Sequence, residues 1–261
     1  FKRKNITVQR PFELYDYQAL KVEDLKQKHN SGKNEALLIV LPTATGKTQI
    51  ILEDLESLYK ANQNLKVLAV SPTIEVCNKW RQDFNTYNFH HSFESGTYNL
   101  LWKKLNVVDP SYYDYIIVDE AHHAVAPMIS KALKYFTPKM LVGLTATPDR
   151  LDNKRLETIF GQYEVSLTLQ EAMDKDIISK VRVFRLETNL DLSSIRYKGK
   201  DYVNSDLEKA ISIDSRDTAI VEVIKKNFPL DTLKGVIFCI NIKHAQRIAT
   251  MLNASGIPST S

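Results

Sequence analysis

The run Ala36-Leu37-Leu38-Ile39-Val40-Leu41 constrains this chain more than any other segment. Six consecutive apolar residues are too short for a buried helix, and they do not alternate like a half-exposed strand. They suit a strand covered on both faces, which in practice means a parallel sheet between two helical layers. The run continues directly into Pro42-Thr43-Ala44-Thr45-Gly46-Lys47-Thr48, and a helix is expected from Lys47 to about Asn62. Strand, loop, then Gly-Lys-Thr at a helix start is the context a phosphate loop requires. Backbone N–H groups at the helix start face phosphate oxygens, Lys47 reaches the terminal phosphates, and the Thr48 hydroxyl suits a Mg²⁺ ligand. Gly46 lets the backbone approach without a Cβ. The strict pattern has a glycine where this chain has Leu41.

The rest of the chain repeats the alternation. Tyr17–His29 has helical apolar spacing and ends near Gly32, Lys66–Val70 reads as a strand and Glu75–Phe84 as a helix. Tyr115–Val118 and Met140–Leu144 read as buried strands separated by a helix around Met128–Tyr135. The expected fold class is α/β with a doubly wound parallel sheet, whose ligands bind beyond the carboxyl ends of the strands. After Phe160 the pattern loosens. Val181–Leu186 alternates like a strand, Asp191–Asn204 reads as an irregular surface excursion, and helices are expected at Asp206–Ile211 and Arg216–Asn227. Gly235–Ile240 reads as a buried strand before a helix over Lys243–Asn253.

The second chemical motif is Asp119-Glu120-Ala121-His122-His123, placed directly after the Tyr115–Val118 strand. Two carboxylates at the sheet's carboxyl edge can hold Mg²⁺ through Asp119 and polarise a water through Glu120. An acidic cap on the following helix is the alternative for an isolated Asp-Glu pair.

Composition excludes several classes. The net charge of +4 resides wholly in residues 1–10, through Lys2, Arg3, Lys4 and Arg10, so the balance does not by itself point to nucleic acid. Cys77 and Cys239 lie far apart without histidines at ligand spacing, which argues against zinc and a disulfide framework and fits a reducing cytoplasm. No apolar run approaches the ~20 residues of a membrane-spanning helix, and no secretory leader opens the sequence. Adjacent His122 and His123 point in different directions and lack a third ligand. His90-His91 reads as a solvated loop pair, and Trp80 and Trp102 read as packing residues.

Together the segments Pro42–Thr48, Asp119–His123 and Gly143-Leu144-Thr145-Ala146-Thr147-Pro148-Asp149-Arg150 resemble a superfamily 2 DEAH-box helicase or ATPase, similar to the motor subunits of restriction enzymes. Leu14-Tyr15-Asp16-Tyr17-Gln18 is similar to that family's adenine-recognition segment, and Val236–Cys239 through His244-Ala245 to the start of its second lobe. The resemblance implies a RecA-like ATP-binding lobe at 1–165, a linker at 166–186 and the start of a second RecA-like lobe at 187–261. It implies ATP and Mg²⁺ as cofactors, held by Tyr15, Gln18, Thr43, Ala44, Thr45, Gly46, Lys47 and Thr48, with Thr48 and Asp119 toward the metal. Lys47, Asp119, Glu120 and His122 would be catalytic, and Thr145 and Thr147 would couple hydrolysis to lobe movement. Pro72, Thr73 and Thr97 would contact a nucleic-acid backbone, although Thr73 is equally placed to cap a helix.

Two departures accompany the resemblance. Relatives carry a longer stretch between Trp80 and Asp119, with another strand. Their second lobe supplies arginines that reach the γ-phosphate, and no segment after Phe238 matches them, so the chain is expected to be part of a longer motor and weakly active alone. The implied activity is an ATP-driven helicase or translocase on DNA, with nuclease or methyltransferase companions and no membrane. A duplex-RNA-stimulated ATPase and a non-catalytic nucleotide-dependent binding module are the alternatives.

Overall fold

The computed structural model describes residues 13–61, 64–87, 93–148, 153–181, 183, 195–198, 201–203, 205–206, 214–229 and 234–261. The chain divides after residue 182 into two compact units.

In the first unit, helix α1 (Asp16–Asn30) precedes strand β1 (Glu35–Val40), and Gly32, at φ +68°, turns the chain between them. Helix α2 (Lys47–Ala61), β2 (Val67–Ser71), α3 (Ile74–Thr86), β3 (Phe93–Thr97) and α4 (Tyr98–Lys104) follow. Then come β4 (Tyr115–Asp119), a 3₁₀ turn at Ala121–His123, α5 (Pro127–Tyr135), β5 (Met140–Thr145), α6 (Asn153–Phe160) and α7 (Leu169–Asp174). The five strands form one parallel sheet in the order β1-β5-β4-β2-β3. This is the expected α/β, doubly wound arrangement.

Alternation along the strands separates two cores. Ile39, Leu41, Val67, Ala69, Tyr115, Ile117, Val142 and Leu144 pack with residues of α1, α2 and α3. Leu38, Val40, Leu68, Val70, Ile116 and Val118 face the other way, against α4, α5 and α6. The unbroken apolar runs are the consequence, because every position in these strands meets a helix layer. Where β5 crosses the second core it carries Gly143, since a Cβ there would lie 2.7 Å from Leu38 Cδ1 and 2.8 Å from Phe160 Cε1.

One buried polar group joins three elements. Asp54 of α2 has no exposed surface, and its carboxylate accepts from His29 Nε2 of α1 at 2.9 Å and from the Tyr115 hydroxyl of β4 at 3.0 Å. Burial, reinforced by the Asp54 charge, pushes the Tyr115 hydroxyl far above its ordinary pKa and keeps it a neutral donor.

The strand β3 and helix α4 were not anticipated: Phe-Glu-Ser-Gly-Thr has neither an apolar run nor clean alternation, yet all five residues pair with β2. They lie between Trp80 and Asp119, where the resemblance implies a further strand. The second unit holds an antiparallel pair, β6 (Tyr197–Lys198) with β7 (Asp201–Tyr202), inside the segment expected to be irregular. Helices α8 (Asp214–Asn227) and α9 (Ile242–Ala254) contribute Val221, Ile248 and Leu252, with Ile257, to a small core. The fully buried Asp217 there accepts from His244 Nε2 at 3.1 Å and from Arg247 Nη2. The expected strand at Gly235–Ile240 is corrected: the segment from 235 to 239 has no ladder partner among the described residues, and Val236 and Phe238 are exposed. An apolar run becomes a strand only when a neighbour satisfies its backbone groups. Val181 and Val183 are likewise in no strand, while Arg182 and Phe184–Leu186 lie outside the described residues, as do the basic residues 1–10, His90-His91, Asp149-Arg150 and residues 207–211. Among the described residues no helix is long and apolar enough to cross a membrane.

Replacing Tyr115 by Phe should lower stability by about 1–3 kcal/mol, because it removes a donor from a carboxylate with no access to water. Urea denaturation checks this, and an unchanged midpoint would mean that His29 alone satisfies Asp54.

Candidate active site

The carboxyl ends of β1, β5 and β4 lie side by side, and each ends in one of the chemical motifs. β1 and β4 both pair with β5, so the loop after Val40 and the Asp119–Glu120 pair flank Thr145. Leu41 N–H donates to Thr145 O at 3.1 Å, which extends the β1–β5 ladder up to the loop.

The loop is shaped from inside. Ala44 and Gly46 both take left-handed backbone, at φ +65° and +82°. The buried Thr45 hydroxyl donates to Pro42 O at 2.7 Å and closes the turn. Thr45 O in turn accepts from the Tyr17 hydroxyl at 2.7 Å and from Gln18 Nε2 at 3.0 Å. Gln18 is therefore bound to the loop as well as to its own helix start, where its Oε1 accepts from Tyr15 N–H at 2.9 Å. An amide has two donors and two acceptor lone pairs, so one of each remains on Gln18. Tyr15 stacks on Tyr17 with ring centroids 5.6 Å apart and is half exposed, while Tyr17 is buried. Of the two tyrosines only Tyr15 offers a ring face toward solvent.

Lys47 folds back over this loop: Nζ donates to Leu41 O at 3.0 Å and Pro42 O at 3.1 Å. Burial lowers its pKa, and the charges of Glu120 and then Asp119 act in the opposite direction. The ammonium thus lies within electrostatic reach of both carboxylates. Thr43 is exposed, and Thr48 is partly exposed on the first turn of α2.

The acid pair is held from two sides. Asp119 Oδ2 accepts from Trp80 Nε1 at 3.0 Å, and Oδ1 accepts from Glu120 N–H at 3.0 Å. Glu120 itself is left-handed, at φ 51° and ψ 52°, a conformation that costs a non-glycine residue roughly 1–2 kcal/mol. The Tyr98 hydroxyl donates to the main-chain oxygens of both Asp119 and Glu120, the second at 3.1 Å. Burial, then the Asp119 and Glu120 charges, raise the Tyr98 pKa well beyond the ordinary range, so it remains a donor. Neither Trp80 nor Tyr98 was among the expected site residues. The spacing of Trp80 with Cys77 and Phe84 reads only as a core stripe, and nothing in the sequence around Tyr98 signals its role.

His122 joins the acid pair to the end of β5. Its Nδ1 is 3.2 Å from Thr145 Oγ1 and 3.4 Å from Glu120 Oε2, and the same Thr145 hydroxyl accepts from Thr147 N–H at 3.2 Å. The second histidine, His123, packs at the edge of the Tyr98 ring. No cluster of three or more His, Cys, Asp or Glu suited to a metal occurs among the described residues.

The remaining expected residues lie further along the same edge. Ser71 is fully buried, Pro72 is partly exposed and Thr73 exposed. Thr73 caps α3, accepting from Val76 N–H at 3.4 Å. Thr97 ends β3 and precedes α4 without a side-chain capping bond.

Residues 11–150 match the family described as the type III restriction enzyme res subunit. An Escherichia coli type I restriction enzyme EcoAI endonuclease subunit is 25% identical over 90% of this chain and 34% of its own length. The DNA 3'-5' translocase XPB2 of Sulfurisphaera tokodaii is 30% identical over 74% of this chain and 46% of its own length. The chain therefore spans less than half the length of these two relatives. Among solved structures, the fragment of a putative HsdR subunit of a type I restriction enzyme from Vibrio vulnificus superposes with a TM-score of 0.63 at 19% identity, covering 92% of this chain and 45% of that one. The likeness extends to the fold.

Gly46→Ala should weaken binding of a fluorescent nucleoside triphosphate by at least about tenfold, since a strained φ alone costs roughly 1–2 kcal/mol. The new Cβ would also stand 2.3 Å from Gln18 Nε2 and displace it from Thr45 O. Fluorescence titration checks this, and wild-type affinity would show that the loop has another usable shape.

Proposed function

The chain belongs to the type III restriction enzyme res-subunit family, within the superfamily 2 motors, and on that premise we propose that it is the ATP-binding part of a motor that moves on DNA. The observation that carries this reading is the position of Lys47, half-buried at the start of α2 with Nζ on the loop carbonyls of Leu41 and Pro42 and within electrostatic reach of both Glu120 and Asp119. ATP phosphates would replace the Leu41 and Pro42 carbonyls as partners of Nζ, while the loop N–H groups from Thr43 to Thr48 meet the phosphate oxygens. Tyr15 would stack on the base, and the remaining amide valences of Gln18 would read its edge. One hydroxyl from Thr48 and one carboxylate from Asp119 suit Mg²⁺, which keeps several waters and binds beside phosphates rather than in an all-protein cage. When bound, the ion neutralises charge on the phosphates.

Glu120 is the base in this reading. Its side chain is partly exposed, unlike the fixed Asp119, so it can meet a water and take its proton. His122, close to both Glu120 and Thr145, would pass changes at the acid pair to Thr145 and Thr147, and so to the mobile partner lobe. We read residues 1–165 as the ATP-binding lobe, 166–186 as a linker and 187–261 as the opening of a second lobe. The break between compact units after residue 182 falls within that linker. Pro72, Thr73 and Thr97 would touch the nucleic-acid backbone without reading sequence. DNA is preferred over RNA because the relatives include a DNA translocase and a restriction subunit. The latter also supports nuclease or methyltransferase companions in a longer protein.

In the full-length protein, Glu120→Gln should retain ATP binding and lower hydrolysis by about 10²-fold or more. Steady-state ATPase assays with duplex DNA, single strands and duplex RNA test the substrate. Stimulation by DNA is expected, selective stimulation by duplex RNA would move the assignment to RNA, and indifference to every nucleic acid would overturn the motor.

A further inference from the structure

We propose that Trp80 and Tyr98 are positioning residues that couple nucleic-acid contact at Pro72, Thr73 and Thr97 to the geometry of the Asp119–Glu120 pair. The proposal rests on the reading above that these three residues meet the nucleic-acid backbone.

Each clamp on the acid pair belongs to an element whose end lies at that surface. Trp80 is on α3, the helix capped by Thr73, and seven residues of helix place it about 10 Å from the cap. Its indole N–H ends on Asp119 Oδ2. Tyr98 directly follows Thr97 in the chain, and its hydroxyl ends on the carbonyls of Asp119 and Glu120.

α3 is also fastened to β3, the strand that runs directly into Tyr98. The buried Ser95 of β3 donates its hydroxyl to Cys77 O of α3 at 3.1 Å, and Arg81 of α3 donates to Ser95 O. α3 and β3 are thus bound together, and in this proposal a pull at Thr73 or at the half-buried Thr97 would reach both clamps.

What they clamp is the strained part of the site. The left-handed Glu120 brings two successive carbonyls within reach of the single Tyr98 hydroxyl proton on α4, and Glu120 O also accepts from His123 N–H at 3.0 Å. Without that donor the turn has less reason to keep its conformation, and the carboxylate of Glu120 loses its aim. Asp119 in turn is held through both oxygens, and among the described residues Trp80 is the donor that reaches Oδ2 from another element. A helix shift of a few tenths of an ångström along α3 would therefore change the orientation of Asp119 directly. Nucleic acid then acts as a brace that holds the pair in its productive arrangement, a bias on a local equilibrium rather than a new contact with the reacting atoms.

Tyr98→Phe and Trp80→Phe each remove one donor and keep an aromatic ring in place. Their ATPase is measured in the full-length protein at saturating duplex DNA and without DNA. The quantity of interest is the ratio of the two rates, which does not depend on the fraction of correctly folded protein. Each variant should lower this stimulation ratio by about fivefold or more through kcat, with the KM for ATP and the DNA affinity within about twofold of wild type. The pair of variants keeps the result interpretable if one fails to fold. Undiminished stimulation in a folded variant overturns the proposal for that residue, as does a loss accounted for wholly by weaker DNA binding. A wild-type protein without stimulation overturns the underlying motor assignment instead, so the two failures are distinct.

Discussion

Parallel pairing of β5 with β1 on one side and β4 on the other determines where chemistry can occur in this molecule. Parallel strands release all their carboxyl ends at one edge, and only there does the chain leave the sheet with backbone groups unpaired. The loop after β1, Thr145 and the acid pair are consecutive along that edge because their strands are consecutive in the sheet, although more than a hundred residues separate Leu41 from Thr145. The cost is that the interiors of β1, β2, β4 and β5 must be apolar on both faces. The polar side chains that β1, β4 and β5 contribute to the candidate site are confined to the last residue of a strand or the loop beyond it.

Where polar groups do enter the interior, each joins elements that apolar packing would leave free to slide. Asp54 ties two helices to the amino end of β4, and Asp119 ties α3 to its carboxyl end. Breaking the first leaves a fully buried carboxylate short of a partner, which is more costly than the loss of an equivalent apolar contact. β4 is therefore anchored at both ends by side-chain hydrogen bonds. Rigidity of this kind fixes the direction in which the chain leaves the strand at Asp119 and Glu120.

Much of the sheet was legible because its strands are buried on both faces. Ala36–Leu41, Tyr115–Val118 and Met140–Leu144 stand out as apolar runs, and the structure extends two of them by one residue. The loop after β1 was legible because Gly-Lys-Thr follows a buried strand at a helix start, the pattern expected of a phosphate loop. What could not be read was donated across elements. Gln18 has its amide on Thr45, Trp80 its indole on Asp119 and Tyr98 its phenol on two carbonyls, and each contact depends on tertiary placement rather than spacing. At Gly235–Ile240 the local signal was strong but the partner strand that makes a strand real is absent from the described residues.

The strand that escaped notice carries a further consequence. β3 forms an edge of the sheet among the described residues, and an edge strand offers its free backbone groups to any other chain. Glu94 stands at its second position, tied to Lys104 at 3.0 Å and accepting from the Tyr113 hydroxyl at 2.5 Å. A charge held there, with glycine and two hydroxyl residues after it, makes this edge a poor template for strand-to-strand self-association. The polarity that hides β3 from its hydrophobic pattern is thus the same property that disfavours the addition of another strand at this edge.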